Sequence, residues 1–270
     1  MRHAFATLYY FDIDQIMNDS QQSNIHDFDF ALICEYFSSL HRQGPGSEES
    51  TAKALSFLPP MGADKRIADI GCGTGASTEV LHRLTEAQIV AVDLFPDFIN
   101  HLKNKNLGSR IDAQKGDMTQ LTFADETFDA IWSEGAIYNI GFGKGLSEWR
   151  RFLKPGGIIA VTDASWLTLD RPSEIADFWQ EAYPSITDIA SNIRCMEKAG
   201  YRMIATFVLP EDCWQENFYH PARRAQEIFL RNHPDNPIAE ELVINQRREA
   251  ALYQKYHQYY GYVWYIGKKL

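Results

Sequence analysis

The stretch Ile67-Ala68-Asp69-Ile70-Gly71-Cys72-Gly73-Thr74-Gly75 decides how this chain reads. A short apolar run is interrupted by one aspartate. Three glycines then alternate with small residues. The pattern is a strand entering a loop where backbone must approach something closely, and glycine leaves that room. The next residues, Ala76 to Leu84, read as a helix whose N-terminal N–H groups and dipole face the same ligand. A strand, glycine loop and helix in this order form a nucleotide-type cofactor site.

Outward from that unit, strand and helix alternate. Strands are expected at 66–70, 88–93, 111–115, 128–133, 157–163 and 201–208. Helices fill the gaps at 76–84, 96–106, 143–153 and 172–199, the last split near Pro184. Such alternation predicts an α/β fold, a parallel sheet with helices on both faces. Upstream, Phe30, Cys34, Phe37 and Leu40 recur at helical spacing within 27–41, and residues 1–26 are polar and carry no clear pattern. Gly44-Pro45-Gly46 breaks the chain, Ser47 caps a second helix, and Pro59-Pro60 ends it. The tail predicts two further helices, Pro221 to Asn232 and Pro237 to His257, with Asp235 or Asn236 capping the second. Tyr260 to Ile266 reads as a last strand, which makes the two helices an insertion before it.

The 270 residues are 45% hydrophobic and 23% charged, with a formal net charge of −10. That balance suits a globular enzyme and speaks against a nucleic acid partner, which asks for a basic face. No apolar run reaches membrane-spanning length, and residues 1–5 lack the apolar core of a signal peptide. Cys34, Cys72, Cys195 and Cys213 have no metal or redox spacing, and the histidines are scattered. We therefore expect no metal, no membrane partner, reduced thiols and a cytoplasmic location.

Two cofactor classes fit the loop. Gly71-x-Gly73-x-x-Ala76 satisfies the dinucleotide fingerprint, and Gly71-x-Gly73-x-Gly75 satisfies a second one. Asp93, ending the next strand, suits a ribose diol in either class. Three features separate them. Asp69 adds a carboxylate that a pyrophosphate would not want and a cationic ligand would. Gly116-Asp117-Met118 places an acid where an exocyclic adenine amine could donate. Phe152-Leu153-Lys154-Pro155-Gly156-Gly157 reads as a helix end and tight turn before the buried strand Ile158 to Thr162.

With these segments in order, the chain resembles the class I S-adenosylmethionine-dependent methyltransferases. Among them it looks most like the small-molecule group of ubiquinone and menaquinone biosynthesis enzymes. The resemblance runs from about 66 to 164 and rests on Asp69 to Gly75, Asp93, Gly116 to Met118, Phe123 to Asp129 and Leu153 to Gly157. It implies a Rossmann-like seven-stranded sheet whose last strand is antiparallel. It implies one domain over 1–270: helices and lid at 27–60, a cofactor core at 61–210, a helical cap at 211–258 and the last strand at 259–270. Gly71, Cys72, Gly73 and Gly75 would pass under the methionine part of the cofactor. Asp93 would hold the ribose, Leu94 would pack on the adenine, and Asp117 with Met118 would read its edge. Ser133 and Glu134 would lie near the methionine moiety, with Gln43 and Gly44 in a lid over it.

Methyl transfer needs alignment and water exclusion, and a base only where the acceptor must lose a proton. Candidates on the acceptor side are Glu134, Tyr138, Trp166 and Trp214. Glu134 could bind the cofactor ammonium or act as base. Tyr138 could orient the acceptor or pack on the sulfonium. The expected activity is methyl transfer to a small-molecule acceptor by in-line displacement, from a monomer or homodimer, with S-adenosylhomocysteine as product. A nicotinamide-dependent dehydrogenase and a non-catalytic S-adenosylmethionine-binding regulator stay open as alternatives.

Overall fold

In a computed structural model, residues 30–270 are described. What is expected of residues 1–29, a polar stretch and the start of the first helix, lies outside them. Helix α1 spans Phe30–Ser38 and α2 spans Glu48–Leu55, whose cap Ser47 accepts from the Ser50 N–H. The alternating region follows: β1 Arg66–Ile70, α3 Ala76–Leu84, β2 Gln88–Asp93, α4 Pro96–Asn104, β3 Ile111–Lys115 and β4 Phe128–Ser133. A 3-10 turn at Ile137–Asn139 leads into α5, Phe142–Trp149, and then β5, Leu153–Trp166.

The sheet order is β3-β2-β1-β4-β5-β8-β7, where β7 is Tyr201–Val208 and β8 is Tyr260–Lys269. Strands β1 to β5 pair in parallel, and β8 runs antiparallel to both β5 and β7, with Val161 opposite Tyr265 and Thr206 opposite Tyr265. A two-residue strand, β6 (Thr187–Asp188), extends the sheet beside the end of β5. It separates α6, Ser173–Ala182, from α7, Ile189–Lys198, where a split helix was expected.

The strands sit where their apolar runs put them. Four of the five β1 residues are buried, including Asp69, because helices cover both faces. Alternate residues divide between two cores. Ile67, Ala130, Trp132, Ala160 and Trp264 meet α1, α2 and the tail helices. Ala68, Ile131, Ile159, Val161 and Tyr265 meet α5 and α7. The Lys154-Pro155-Gly156-Gly157 segment departs from expectation. It lies inside β5 as a bulge, the register slipping between Phe128↔Leu153 and Ala130↔Ile158, because β4 continues to pair on either side of it.

Between β7 and β8 the chain forms a helical turn at Asp212–Trp214, a π turn at Gln215–Tyr219, then α8, His220–Asn232, and α9, Pro237–Tyr256. Asn236 caps α9, accepting from the Ile238 and Ala239 N–H groups. These helices rest on α1, where Tyr36 and Phe229 rings lie 5.4 Å apart. The Gly46 N–H donates to the Cys213 carbonyl at 3.2 Å, tying the α1–α2 connection to the tail insertion.

Candidate functional site

The strand order reverses between β1 and β4, and open α/β sheets bind ligands at the C-terminal strand ends beside such a point. A cleft lies there, with an empty volume of about 1360 Å³ including its mouth. Its floor is the loop after β1. Gly71 and Gly73 have φ of +76° and +56°. A Cβ at Gly71 would overlap Ala136, and one at Gly73 would overlap the Gln43 amide oxygen. Glycine is required at both positions.

Every N–H of that loop is taken by the protein. Gly71 and Cys72 donate to the Val92 carbonyl (2.8 and 3.0 Å), and Gly75 donates to the Cys72 carbonyl at 2.9 Å. Gly73 donates to Asp93 Oδ2 at 2.8 Å, and Thr74 donates to Gln43 Oε1 at 3.0 Å. A pyrophosphate needs such N–H groups free. The residues lining the cleft also carry three acids, Asp93, Asp117 and Glu134, against one cation, Arg42. This lining suits a cation with hydroxyls and disfavours a dinucleotide.

Asp93 accepts a second bond from the Phe95 N–H at 3.0 Å. Burial pushes its carboxyl up to about 6, against the pull of the Phe95, Gly73 and Leu94 N–H groups. Leu94 is exposed at the rim. Asp117 Oδ1 accepts from the Thr119 N–H and hydroxyl, both at 2.7 Å, which fixes the turn after β3. Met118 is held beside it, its carbonyl accepting from the Trp149 indole at 3.0 Å. Gln43 is pinned over the loop, donating to the Phe37 and Leu40 carbonyls and to Thr74 Oγ1. Gly44 follows it along the cleft wall. Tyr138 closes the opposite wall.

Glu134 reaches the cleft already engaged. Its Oε1 accepts from Arg42 at 3.0 Å and its Oε2 from the Thr51 hydroxyl at 2.8 Å. Asp69 does not reach it. It is fully buried, and its Oδ2 accepts from the Ser77 and Thr78 hydroxyls (2.9 and 2.7 Å), fastening the first turn of α3. Burial pushes this carboxyl up to about 7. Its Oδ1 has no hydrogen-bond partner, an uncompensated acceptor just behind Ser77, which lines the cleft.

Four other expected residues lie outside the cleft. Ser133 is buried and donates to the Ile70 carbonyl at 2.8 Å, joining β4 to β1. A side chain at Gly75 would strike Leu102 of α4, so that glycine serves helix packing. Trp166 packs against Tyr260, with the Arg171 guanidinium 4.0 Å from its ring centre. Trp214 is stacked on Tyr253 at 4.2 Å within the tail insertion. Both indoles satisfy core contacts of the last strand and cap helices, which spacing could not reveal. Three residues at the cleft were not among the expected site residues: Phe37, expected only at a helical spacing, Ile33, which stands outside that spacing, and Thr51, which has no motif.

The uncompensated Asp69 oxygen, the acidic lining and the glycine-floored loop together fit a cofactor with ammonium and sulfonium charges and a ribose. Residues that could hold it are Asp93, Asp117, Met118, Glu134, Gln43 and the Gly71 to Gly73 backbone. Residues 68–161 match a protein family described as a methyltransferase domain. Sterol 24-C-methyltransferase of Candida albicans is 28% identical over 180 residues, 60% of this chain and 47% of that protein. Demethylmenaquinone methyltransferase of Bacteroides fragilis is 31% identical over 154 residues, 54% of this chain and 62% of that protein. The chain thus spans less than two thirds of either relative. In fold, it superposes on a SAM-dependent methyltransferase from Thiobacillus denitrificans, solved with S-adenosyl-L-homocysteine, with a TM-score of 0.76 at 19% identity, over 88% of this chain and 98% of that one. Residues 68–161 thus match a methyltransferase domain, and the chain is similar in sequence and in fold to S-adenosylmethionine-dependent methyltransferases.

Proposed function

We propose that the protein transfers a methyl group from S-adenosylmethionine to a small-molecule acceptor by in-line displacement. The observation that carries this reading is the glycine loop with every N–H occupied, facing an acid-rich cleft. The cofactor, when bound, supplies an activated sulfonium methyl. The protein's part is to bind, orient and exclude water. Asp93 takes the ribose hydroxyls and Leu94 packs on the base. The free Oδ2 of Asp117 and the Met118 backbone receive the adenine edge. Glu134 balances the ammonium, sharing its charge with Arg42. Gln43 and Gly44 cover the amino-acid end.

In this reading 1–270 act as one methyltransferase unit, with lid helices at 27–60, core at 61–210, cap at 211–258 and the last strand at 259–270. The net charge of −10 supports a small molecule over a nucleic acid. No described helix is long and apolar enough to cross a membrane. A cytoplasmic monomer or homodimer completes the proposal.

Isothermal titration tests it. S-adenosylhomocysteine is expected to bind and NAD(H) not; the reverse result overturns the reading. With labelled S-adenosylmethionine and a small-molecule cell extract, labelled product is expected. Saturable binding without product would leave a non-catalytic binding protein.

A further inference from the structure

Behind the Tyr138 wall of the cleft lies a carboxyl that the proposed cofactor site does not use. Asp163, near the C-terminal end of β5, is 1% exposed. The Tyr183 hydroxyl, at the end of α6, donates to its Oδ1 at 3.2 Å, and Asn192 Nδ2 of α7 donates to its Oδ2 at 3.2 Å. Ser165 and Tyr265 hydroxyls, 2.7 Å apart, complete the cluster through Asn192. The groups that face Asp163 are therefore Tyr183, Asn192, Ser165 and Tyr265, with the Cys195 thiol of α7 nearby. No lysine, arginine or histidine among the described residues is a partner of it. A buried carboxylate held only by neutral donors readily takes a proton, and burial pushes this one up to about 7.

Tyr183 links this carboxyl to the cleft. Its ring lies 6.1 Å from that of Tyr138, the two tilted at 59°. Glu134, the other acid on this side, has both oxygens committed to Arg42 and Thr51.

We propose that Tyr138, Tyr183 and Asp163 form a path that withdraws a proton from the methyl acceptor. The acceptor's nucleophilic atom then carries a proton it must lose, as in a hydroxyl or a phenol, and unlike a thioether or tertiary amine. The inference rests on the methyltransferase reading. As the bond from acceptor to methyl carbon forms, the carbon–sulfur bond breaks and its electron pair goes to sulfur. The acceptor's proton passes to the Tyr138 oxygen, that of Tyr138 to the Tyr183 oxygen, and that of Tyr183 to Asp163 Oδ1. The products are methylated acceptor, neutral sulfide and protonated Asp163, which releases its proton by the reverse route. Tyr138 is the catalytic residue; Tyr183 and Asp163 act through it.

Two readouts test the path. In the first, labelled methyl transfer into a small-molecule cell extract is followed from pH 6 to 9. The wild-type rate should rise through neutral pH. Asp163→Asn and Tyr138→Phe should each lower it by about 10²-fold or more, the scale of general base catalysis. Asp163→Asn should also flatten the profile, with S-adenosylhomocysteine affinity kept within about threefold. The second readout needs no turnover. Infrared spectra should show a protonated-carboxyl band that titrates near neutral pH and is missing in Asp163→Asn. Phenol added to protein saturated with S-adenosylhomocysteine should move that titration in the wild type and not in Tyr138→Phe. A pH-independent wild-type rate, or a phenol response that is absent or survives in Tyr138→Phe, overturns the path. Failure of S-adenosylhomocysteine to bind overturns the methyltransferase reading instead, and phenol alone then still decides the path.

Discussion

Asp93 does two jobs with one carboxylate. It accepts from the Gly73 and Phe95 N–H groups and so shapes both loops that border the cleft. Asp93→Ala leaves a buried and a part-buried donor unpaired, at about 1–3 kcal/mol each at most. We expect S-adenosylhomocysteine affinity to fall by about 10- to 300-fold in titration calorimetry, with Asp93→Asn intermediate because it keeps one acceptor. Wild-type affinity in a folded Asp93→Ala protein would remove Asp93 from the site. This residue was legible because an acid ending a strand after a glycine loop has few structural uses. Trp214 and Trp166 were not legible in the same way. An indole near a cleft and an indole in the core obey the same hydrophobic pattern, and only the stack on Tyr253 or the edge contact with Tyr260 tells them apart. The pairing of Glu134 with Arg42 spans 92 positions, and no local spacing encodes it.

At the scale of elements, the α1–α2 connection is fastened at three points. Gln43 bonds the glycine loop, Arg42 bonds Glu134, and Gly46 bonds the Cys213 carbonyl of the tail. Gln43→Ala orphans the Thr74 N–H and loosens the connection from two sides. Hydrogen exchange should quicken over 42–46 and 71–75, and S-adenosylhomocysteine should bind about tenfold more weakly. Unchanged exchange would mean that Gln43 does not hold the loop. Helix α2 is fixed on its core side by the Trp264 indole, which donates to Ser50 Oγ at 2.9 Å. Ser50→Ala should therefore lower stability by about 1–3 kcal/mol in denaturant unfolding while leaving the cleft intact. The strands were legible because burial on both faces demands unbroken apolar runs, as in Ile89 to Val92 and Ile158 to Val161. Strand β6 was not, since two residues beside the end of β5 carry no periodicity. The bulge at 154–157 mimics a turn in sequence, because proline and glycine mark both.

Over the whole molecule, the buried acids point one way. Asp69 and Asp163 are pushed up to about 7 and Glu249 to about 8, each chiefly by burial. Glu249, inside the tail insertion, accepts from the Tyr219 hydroxyl at 2.9 Å, and its second oxygen has no partner. In the unfolded chain these groups titrate near 4. Between there and the folded values, the native state holds more protons than the unfolded state, so stability falls as pH rises. Each group contributes at most about 1.4 kcal/mol per pH unit in that interval. His41 and His82, whose partly desolvated rings titrate below the usual value, act oppositely, but only below about 6.5, where the unfolded rings gain protons. Cysteine and tyrosine, raised by burial, matter only above about 9. The window from pH 6.5 to 8.5 therefore belongs to the carboxyls. Thermal unfolding of the ligand-free protein should show a falling midpoint across it. Glu249→Gln keeps the bond from Tyr219 and removes the charge, so it should flatten that slope and raise stability at pH 8.5. A cationic cofactor placed beside Asp93 and in front of Asp69 favours their charged forms, so S-adenosylmethionine should raise the midpoint more at pH 8.5 than at 6.5. A wild-type midpoint that rises across the window, or a Glu249→Gln slope equal to the wild type's, would show that these carboxyls are not the buried, unpaired charges described above.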